Sequence, residues 1–201
     1  MTAMHRRSLL AMALLSPAAT LLAACDTPPR HSDFPDLTYQ HLPKLRFDVR
    51  EVEIVEAYRS PGQAPNVEHL FPVRPAAAAA NWGRDRLMAA GSWRRLRYIV
   101  QDAAAVEVPL SIEEGLKGAL KVEQSERYEL HLAVEVQIIN DTGFTEGSAS
   151  ASAVRSVTVP ENVTLHQRDR IWFRLTEDAM KDLNGQLEKT LSGVLGQFLL
   201  S

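Results

Sequence analysis

Cys25 is the one cysteine in a chain of 201 residues, and its thiol is the residue best suited to covalent chemistry. It directly follows Leu22-Ala23-Ala24. A single cysteine excludes an internal disulfide framework and any zinc site built on a cysteine pair. The other reactive residue types do not fall into reacting patterns. His31, His41, His69, His131 and His166 show neither His-x-x-His nor His-Glu-x-x-His spacing, so no helical metal pair is expected. His131 alternates with apolar residues along a strand pattern and reads as a surface residue. Glu113 and Glu114 are neighbouring carboxylates beside Gly115, and they read as a solvated loop. Gly115-Leu116-Lys117-Gly118 lacks the spacing and the Ser/Thr of a phosphate loop. No Gly-x-Ser-x-Gly elbow occurs. With no nucleophile placed beside a base, the expectation is a protein that is not an enzyme, with no catalytic residue, metal or cofactor. A formal charge of −3 argues against a nucleic-acid partner.

The cysteine ends a segment of a different kind from the rest. Met1 to Arg7 is basic, Leu9 to Ala24 is apolar apart from Ser16, Pro17 and Thr20, and the first acid is Asp26. That is the layout of a secretory signal. It is too short and too broken for a membrane-crossing helix, which needs ~20 consecutive apolar residues. Leu22-Ala23-Ala24-Cys25 resembles the bacterial lipobox. The resemblance implies that residues 1–24 are a signal peptide and that Cys25 takes a diacylglyceryl group on its thiol. Cleavage follows before Cys25, and the new amine is acylated, commonly as palmitate. Ala23 and Ala24 fit the peptidase's narrow subsites. Cleavage would leave 177 of the 201 residues and, with Arg6 and Arg7 gone, take the charge from −3 to −5. Two acyl chains give stable anchoring, each buried methylene contributing ~0.8 kcal/mol. Arg6-Arg7 also loosely resembles a twin-arginine signal, so the export route stays open, as does inner versus outer membrane.

The elements that must carry these features read as follows. Residues 25–44 hold Pro28, Pro29, Pro35 and Pro43 and are expected to be an extended tether. Leu45, Phe47 and Val49 alternate with charged residues, then the apolar phase shifts to Val52 and Ile54, which predicts a bulge near Arg50-Glu51. Ala76 to Ala90 reads as a helix, opened by Pro75 and stopped by Gly91. Its alanines predict close approach to a sheet. Leu96 to Leu110 reads as a long strand, and Tyr128 to Ile138 alternates without a fault. Asn140-Asp141-Thr142-Gly143 is a hairpin turn into a strand from Glu146 to Val159. Thr164 and Gln167 match a capping box, and an apolar stripe then runs from Trp172 to Phe198. A helix from Leu165 to Leu199 would measure ~52 Å. The 128–138 strand would measure only ~36 Å, so an overhang or a break is expected. The fold class is therefore α+β: a two-layer sandwich in the order βαβββα, with a mainly antiparallel four-stranded sheet and two helices on one face. Residues 45–201 form its single domain.

Between the second and third strands, Ser111 to Val122 presents Ile112, Leu116 and Leu120 beside two glycines. These residues either fold back as a core cap or form a protruding apolar tip that contacts a partner or lipid. Leu116→Asp and Leu120→Asp discriminate: lost function at unchanged melting temperature means a partner contact.

The element order behind a lipobox and a Pro-rich tether resembles two families of envelope lipoproteins. One is the LptE-like lipopolysaccharide-assembly lipoproteins. The other is the PqiC-like auxiliary lipoproteins of ABC-type and MCE-type lipid transport. The Phe34-Pro35-Asp36-Leu37-Thr38-Tyr39 and Asn66-Val67-Glu68-His69-Leu70-Phe71-Pro72 segments are similar to small lipoproteins of Gram-negative bacteria. These resemblances imply a lipid-anchored protein on the periplasmic side of the inner or outer membrane. It would act without catalysis as an accessory or docking subunit of an envelope transport or assembly complex. Its partners would be the membrane, through Cys25, and an envelope protein. The alternative is direct lipid binding, with an acyl chain held between helices and sheet near Trp82, Trp172, Leu175 and Phe198.

Overall fold

The computed structural model describes residues 34–110, 124–160 and 162–200. They run β1 (Leu45–Phe47), β2 (Glu51–Glu56), α1 (Pro75–Arg86), β3 (Leu87–Ala89), β4 (Arg95–Asp102), β5 (Ala105–Pro109), β6 (Gln124–Ile139), β7 (Thr145–Pro160) and α2 (Leu165–Val194). Short 3-10 turns lie at Glu68–Leu70 and Gly196–Phe198.

The α+β class holds, but the sheet is not four-stranded and antiparallel throughout. Five strands form the main sheet, with β6 at its centre. β7 pairs antiparallel with β6 along nearly its whole length, from Gln124↔Pro160 to Ile139↔Thr145. The other edge of β6 carries β4 on its C-terminal half and β5 on its N-terminal half, both antiparallel. The expected 96–110 strand is thus present in two pieces, interrupted at Ala103–Ala104 just after a register shift between Val100 and Asp102. β2 lies outside β4 and runs parallel to it, Ile54 opposite Tyr98. The cause is the connection. β2 reaches β4 through α1, and a helical crossover returns the chain to its starting end, so the next strand runs the same way.

The phase shift at Arg50-Glu51 is a break between sheets, not a bulge. β1 leaves the main sheet and pairs parallel with β3, Phe47 opposite Ala89. Residues 87–89, expected to continue the helix, are that partner, so tertiary pairing overrides their helix propensity. The overhang is resolved as well. β6 has 16 residues, ~54 Å at 3.4 Å each. α2 has 30 residues, ~45 Å at 1.5 Å each, so the helix fits along the sheet.

Both helices cover one face. Tyr128, Leu130, Leu132, Val134, Val136 and Ile138 are buried, and they share the core with Leu96, Tyr98 and Val100 of β4. α1 offers Ala78, Ala79, Ala80 and Trp82 to that core, and α2 offers Trp172, Leu175, Ala179, Leu183, Leu187 and Leu191. The small residues do allow close approach. A Cβ on Gly83 would stand 2.8 Å from Ile54 Cδ1, and one on Gly147 would stand 2.9 Å from Leu195 Cδ2. The capping box forms as expected: the Gln167 amide donates to Thr164 Oγ1 (3.3 Å), and the Thr164 amide donates to Gln167 Oε1 (3.0 Å).

Candidate functional site

Cys25 and the lipobox residues Leu22, Ala23 and Ala24 lie outside the described residues, as do Ile112, Leu116 and Leu120. The structure instead shows what flanks both segments. Phe34 stacks on Phe173 (centroids 5.1 Å apart) and lies 6.2 Å from the His166 ring, so the chain meets the domain at the first turns of α2. The 111–123 segment lies between β5 and β6 in sequence, at the end of the sheet where Pro109 is the register partner of Glu126 and Gln124 that of Pro160.

From Phe34 the chain runs beside both helices and is held at successive points. Asn81 Nδ2 donates to the Leu37 carbonyl (3.3 Å), the Tyr39 amide donates to Asp85 Oδ2 (2.7 Å), and Arg86 Nε donates to the Pro43 carbonyl (2.8 Å). Arg86 is only 2% exposed. Its remaining nitrogens donate to Asn184 Oδ1 and Glu188 Oε1, each at 2.7 Å. Trp82 Nε1 donates to the same Asn184 oxygen, and its ring lies 5.5 Å from the guanidinium. A buried arginine thus ties the incoming chain, α1 and α2 together, with each of its three nitrogens donating.

Glu68 is the other buried charge, 4% exposed. Tyr58 and Ser60 hydroxyls donate to Oε1 (2.8 and 2.5 Å), and the Ala105 amide donates to Oε2 (3.1 Å). Burial pushes its pKa up, but the bonds from Ser60, Tyr58 and the backbone amides of Glu68 and Ala105 outweigh that and hold it below the ordinary carboxylate value. The group pins the 58–70 loop to the start of β5. Its ligands are all donors of this chain, which makes it a structural anion. Among the described residues, no group of three or more His, Cys, Asp and Glu side chains is placed to hold a metal ion.

The opposite end of the domain carries exposed aromatics that sequence periodicity did not single out. Trp93 is 42% exposed and Phe144 is 69% exposed. Arg50 brings their loops together: its amide donates to the Trp93 carbonyl (3.1 Å), and its Nη1 donates to Asp141 Oδ1 (2.7 Å) in the turn that leads to Phe144. Arg94, the one described non-glycine residue at positive φ (63°), lies with its guanidinium 3.3 Å from the Trp93 ring centroid. It donates to Glu146 (2.6 Å) and Asp48 (3.3 Å) and sits 5.2 Å from the Phe198 ring. The bond from Arg94 holds the Glu146 pKa below its ordinary value. The same end exposes Met88 and Leu200, which flank β1: Met88 is the register partner of Arg46, and the Leu200 amide donates to the Arg46 carbonyl. Rigidly held Trp and Arg side chains beside exposed apolar groups are the composition of protein contact surfaces.

The four residues expected around an acyl chain are core residues. Trp82 stacks on Tyr98, and Trp172 sits between Phe71 (4.9 Å, stacked) and Tyr128 (5.4 Å, edge-on). Trp82, Trp172, Leu175 and Phe198 are all buried. The layer between helices and sheet is filled by these rings, and an acyl chain there would have to displace them.

No protein-family model matches the sequence, and no curated protein matches it. Among solved structures, a minor lipoprotein from Acinetobacter baumannii aligns at 12% identity and a TM-score of 0.37, covering 75% of this chain and 93% of that one. A Xanthomonas campestris protein of the family DUF330 aligns at 10% identity and a TM-score of 0.25, covering 76% and 93%. Both neighbours are bacterial and one is a lipoprotein. Similarity at this level defines neither the fold nor the activity of this chain.

Proposed function

We propose that this chain is a lipid-anchored envelope protein that acts without catalysis as a docking or accessory subunit of an envelope transport or assembly complex. Cys25 holds it at the inner or outer membrane, and the domain faces the periplasm. The observation that carries the docking role is the Trp93–Arg94–Phe144 surface, at the end of the domain away from Phe34. With Phe34, where the described chain begins, at one end of the domain and the aromatic–arginine surface at the other, a protein tethered through its N-terminal segment could present that surface to a neighbour. Among the described residues, no helix is long and apolar enough to cross a membrane.

Two measurements test this. Palmitate labelling should be lost in Cys25→Ala. Affinity capture of the anchored protein under gentle detergent should recover an envelope partner, and Trp93→Ala with Phe144→Ala should weaken capture at least ~10-fold, as loss of a contact hot spot does. Capture unchanged by that pair, or a clean free monomer from the parent, would overturn the docking reading.

A further inference from the structure

A groove of about 370 Å³ opens between the end of β7 and the first turns of α2. Pro160, Val163 and Ile171 give it an apolar floor, and Gln167, Arg170 and Arg174 line its rim. It continues past Ile171 and Arg174 into a second hollow of about 280 Å³ that adds Val157, Leu175 and Asp178. Asp178 is the only acid among the described lining residues of either hollow.

The arginines around this groove are not equivalent. Arg155 forms a two-pronged ion pair with Asp182, and Arg168 pairs with Glu126. Arg170 and Arg174 are exposed and make no ion pair or hydrogen bond with any described residue. Four residues apart on one helix, they sit one turn above the other on the same side. Two guanidinium forks without an ion-pair partner among the described residues, over an apolar floor, match a group that carries phosphate oxygens on a hydrocarbon stem.

The length of chain back to the cysteine names the source of that phosphate. Cys25 precedes Phe34 by nine residues, a reach of at most about 32 Å. Phe34 stacks on Phe173, the residue beside Arg174. If Cys25 carries diacylglycerol, the headgroup layer of its own membrane is within reach of this groove.

We propose that the groove seats the headgroup of an anionic phospholipid from the membrane that holds Cys25, with Arg170 and Arg174 taking the phosphate. This rests on the anchoring reading and adds an orientation to it: the start of α2 faces the membrane, and the Trp93–Phe144 surface faces away.

The test uses the mature lipoprotein reconstituted in vesicles of equal phosphatidylcholine and phosphatidylglycerol, with a photoreactive residue replacing Val163. Irradiation should yield phosphatidylglycerol adducts in at least fivefold excess. Arg170→Gln should cut them about fivefold and Arg170→Gln/Arg174→Gln about thirtyfold, the effect of removing one or two cations near an anionic surface. The melting temperature should stay unchanged, since neither side chain holds a partner among the described residues. Arg170→Lys/Arg174→Lys keeps the charge and should retain most of the selectivity. Equal adducts of the two lipids, adducts indifferent to the double Gln variant, or their loss to millimolar inorganic phosphate would overturn the assignment. Flotation separates the two readings. A protein that floats but captures no lipid overturns the groove and leaves the anchor. One that fails to float and still captures phosphatidylglycerol overturns the anchor and keeps the groove.

Discussion

Glu68→Gln tests the logic of the fold most directly. The carboxylate receives the Tyr58 and Ser60 hydroxyls on one oxygen and the Ala105 amide on the other, with the more distant Asn66 Nδ2 at 3.5 Å. A glutamine has one oxygen. The Ala105 amide can only donate, so the oxygen must face it, and the new NH2 faces two hydroxyls that can rotate to accept. The shape survives, and three charge-assisted bonds become neutral. Bonds to charged groups contribute ~1.5–3 kcal/mol and neutral ones ~0.5–1.5, so the loss is about 2–4 kcal/mol. For a domain of this size that is roughly 5–15 °C in melting temperature. The pH dependence identifies the cause. The folded pKa of Glu68 lies below its unfolded value. Its contribution is therefore fully present above the unfolded pKa, about 4.3, and is lost as pH falls through the lower folded value. Glutamine does not titrate, so the gap between parent and variant should be widest at neutral pH and narrow below pH ~4. Glu135, Glu146 and Asp182 also have lowered pKa values, but they titrate alike in both proteins and cancel in the difference. Circular dichroism melts of the two full chains at pH 7 and pH 3 measure it. A gap of equal size at both, or none at pH 7, refutes the argument.

Three further outcomes are expected. Arg86→Met leaves Glu188 half-exposed and able to rehydrate, but strips the Pro43 carbonyl of its donor. It should cost about 2–4 kcal/mol and expose residues 34–43 to limited proteolysis well before the core. Gly83→Ala gains ~1 kcal/mol of helix propensity, yet its Cβ would meet Ile54 and the Tyr98 ring at 2.8 and 2.9 Å. Tyr98 cannot give way, since its hydroxyl is bonded to the Ala79 carbonyl and its ring is stacked on Trp82, so a net loss of about 1–2 kcal/mol is expected in chemical denaturation. Thr164→Ala removes half of the capping box and should cost about 1 kcal/mol, read as ~2–4 °C in a thermal melt.

The parts of the fold legible from residues alone are those where one physical cause acts locally. Unbroken alternation from Tyr128 to Ile138 marks a half-buried strand, because only a two-residue period keeps one face dry. Thr164 and Gln167 satisfy each other's backbone and fix the start of α2 to the residue. What escaped depends on the rest of the molecule. Leu87–Ala89 has the composition of a helix end, and it becomes a strand because β1 offers an unpaired edge. The phase shift after Val49 records a real change of face, but a bulge and a change of sheet leave the same trace in a sequence. The parallel pairing of β2 and β4 was implicit in the strand–helix–strand order, since a crossover of that length returns the chain to the same end.

The candidate site shows the same division at closer range. The lipobox that Leu22–Cys25 resembles is a pattern of adjacent residues, so the expectation of an anchor at Cys25 needs only four letters. Trp93 and Phe144 are 51 residues apart in sequence, and their loops are brought to one end of the sheet by the β4–β6 pairing and by the bonds of Arg50 and Arg94. Nothing in their local sequence distinguishes them from ordinary turn residues. Arg170 and Arg174 are subtler still. Arginines four apart on an amphipathic helix are the usual composition of a solvated face, and Arg168 behaves that way by finding Glu126. What sets the other two apart is that β7 brings Val157 and Pro160 beside them, and neither forms an ion pair with a described carboxylate, Asp178 being the one described acid along the hollows. Helical periodicity says which side of α2 they occupy. Only the packing of β7 against that side shows that they border an apolar floor without a described ion-pair partner, the arrangement from which the headgroup proposal is argued.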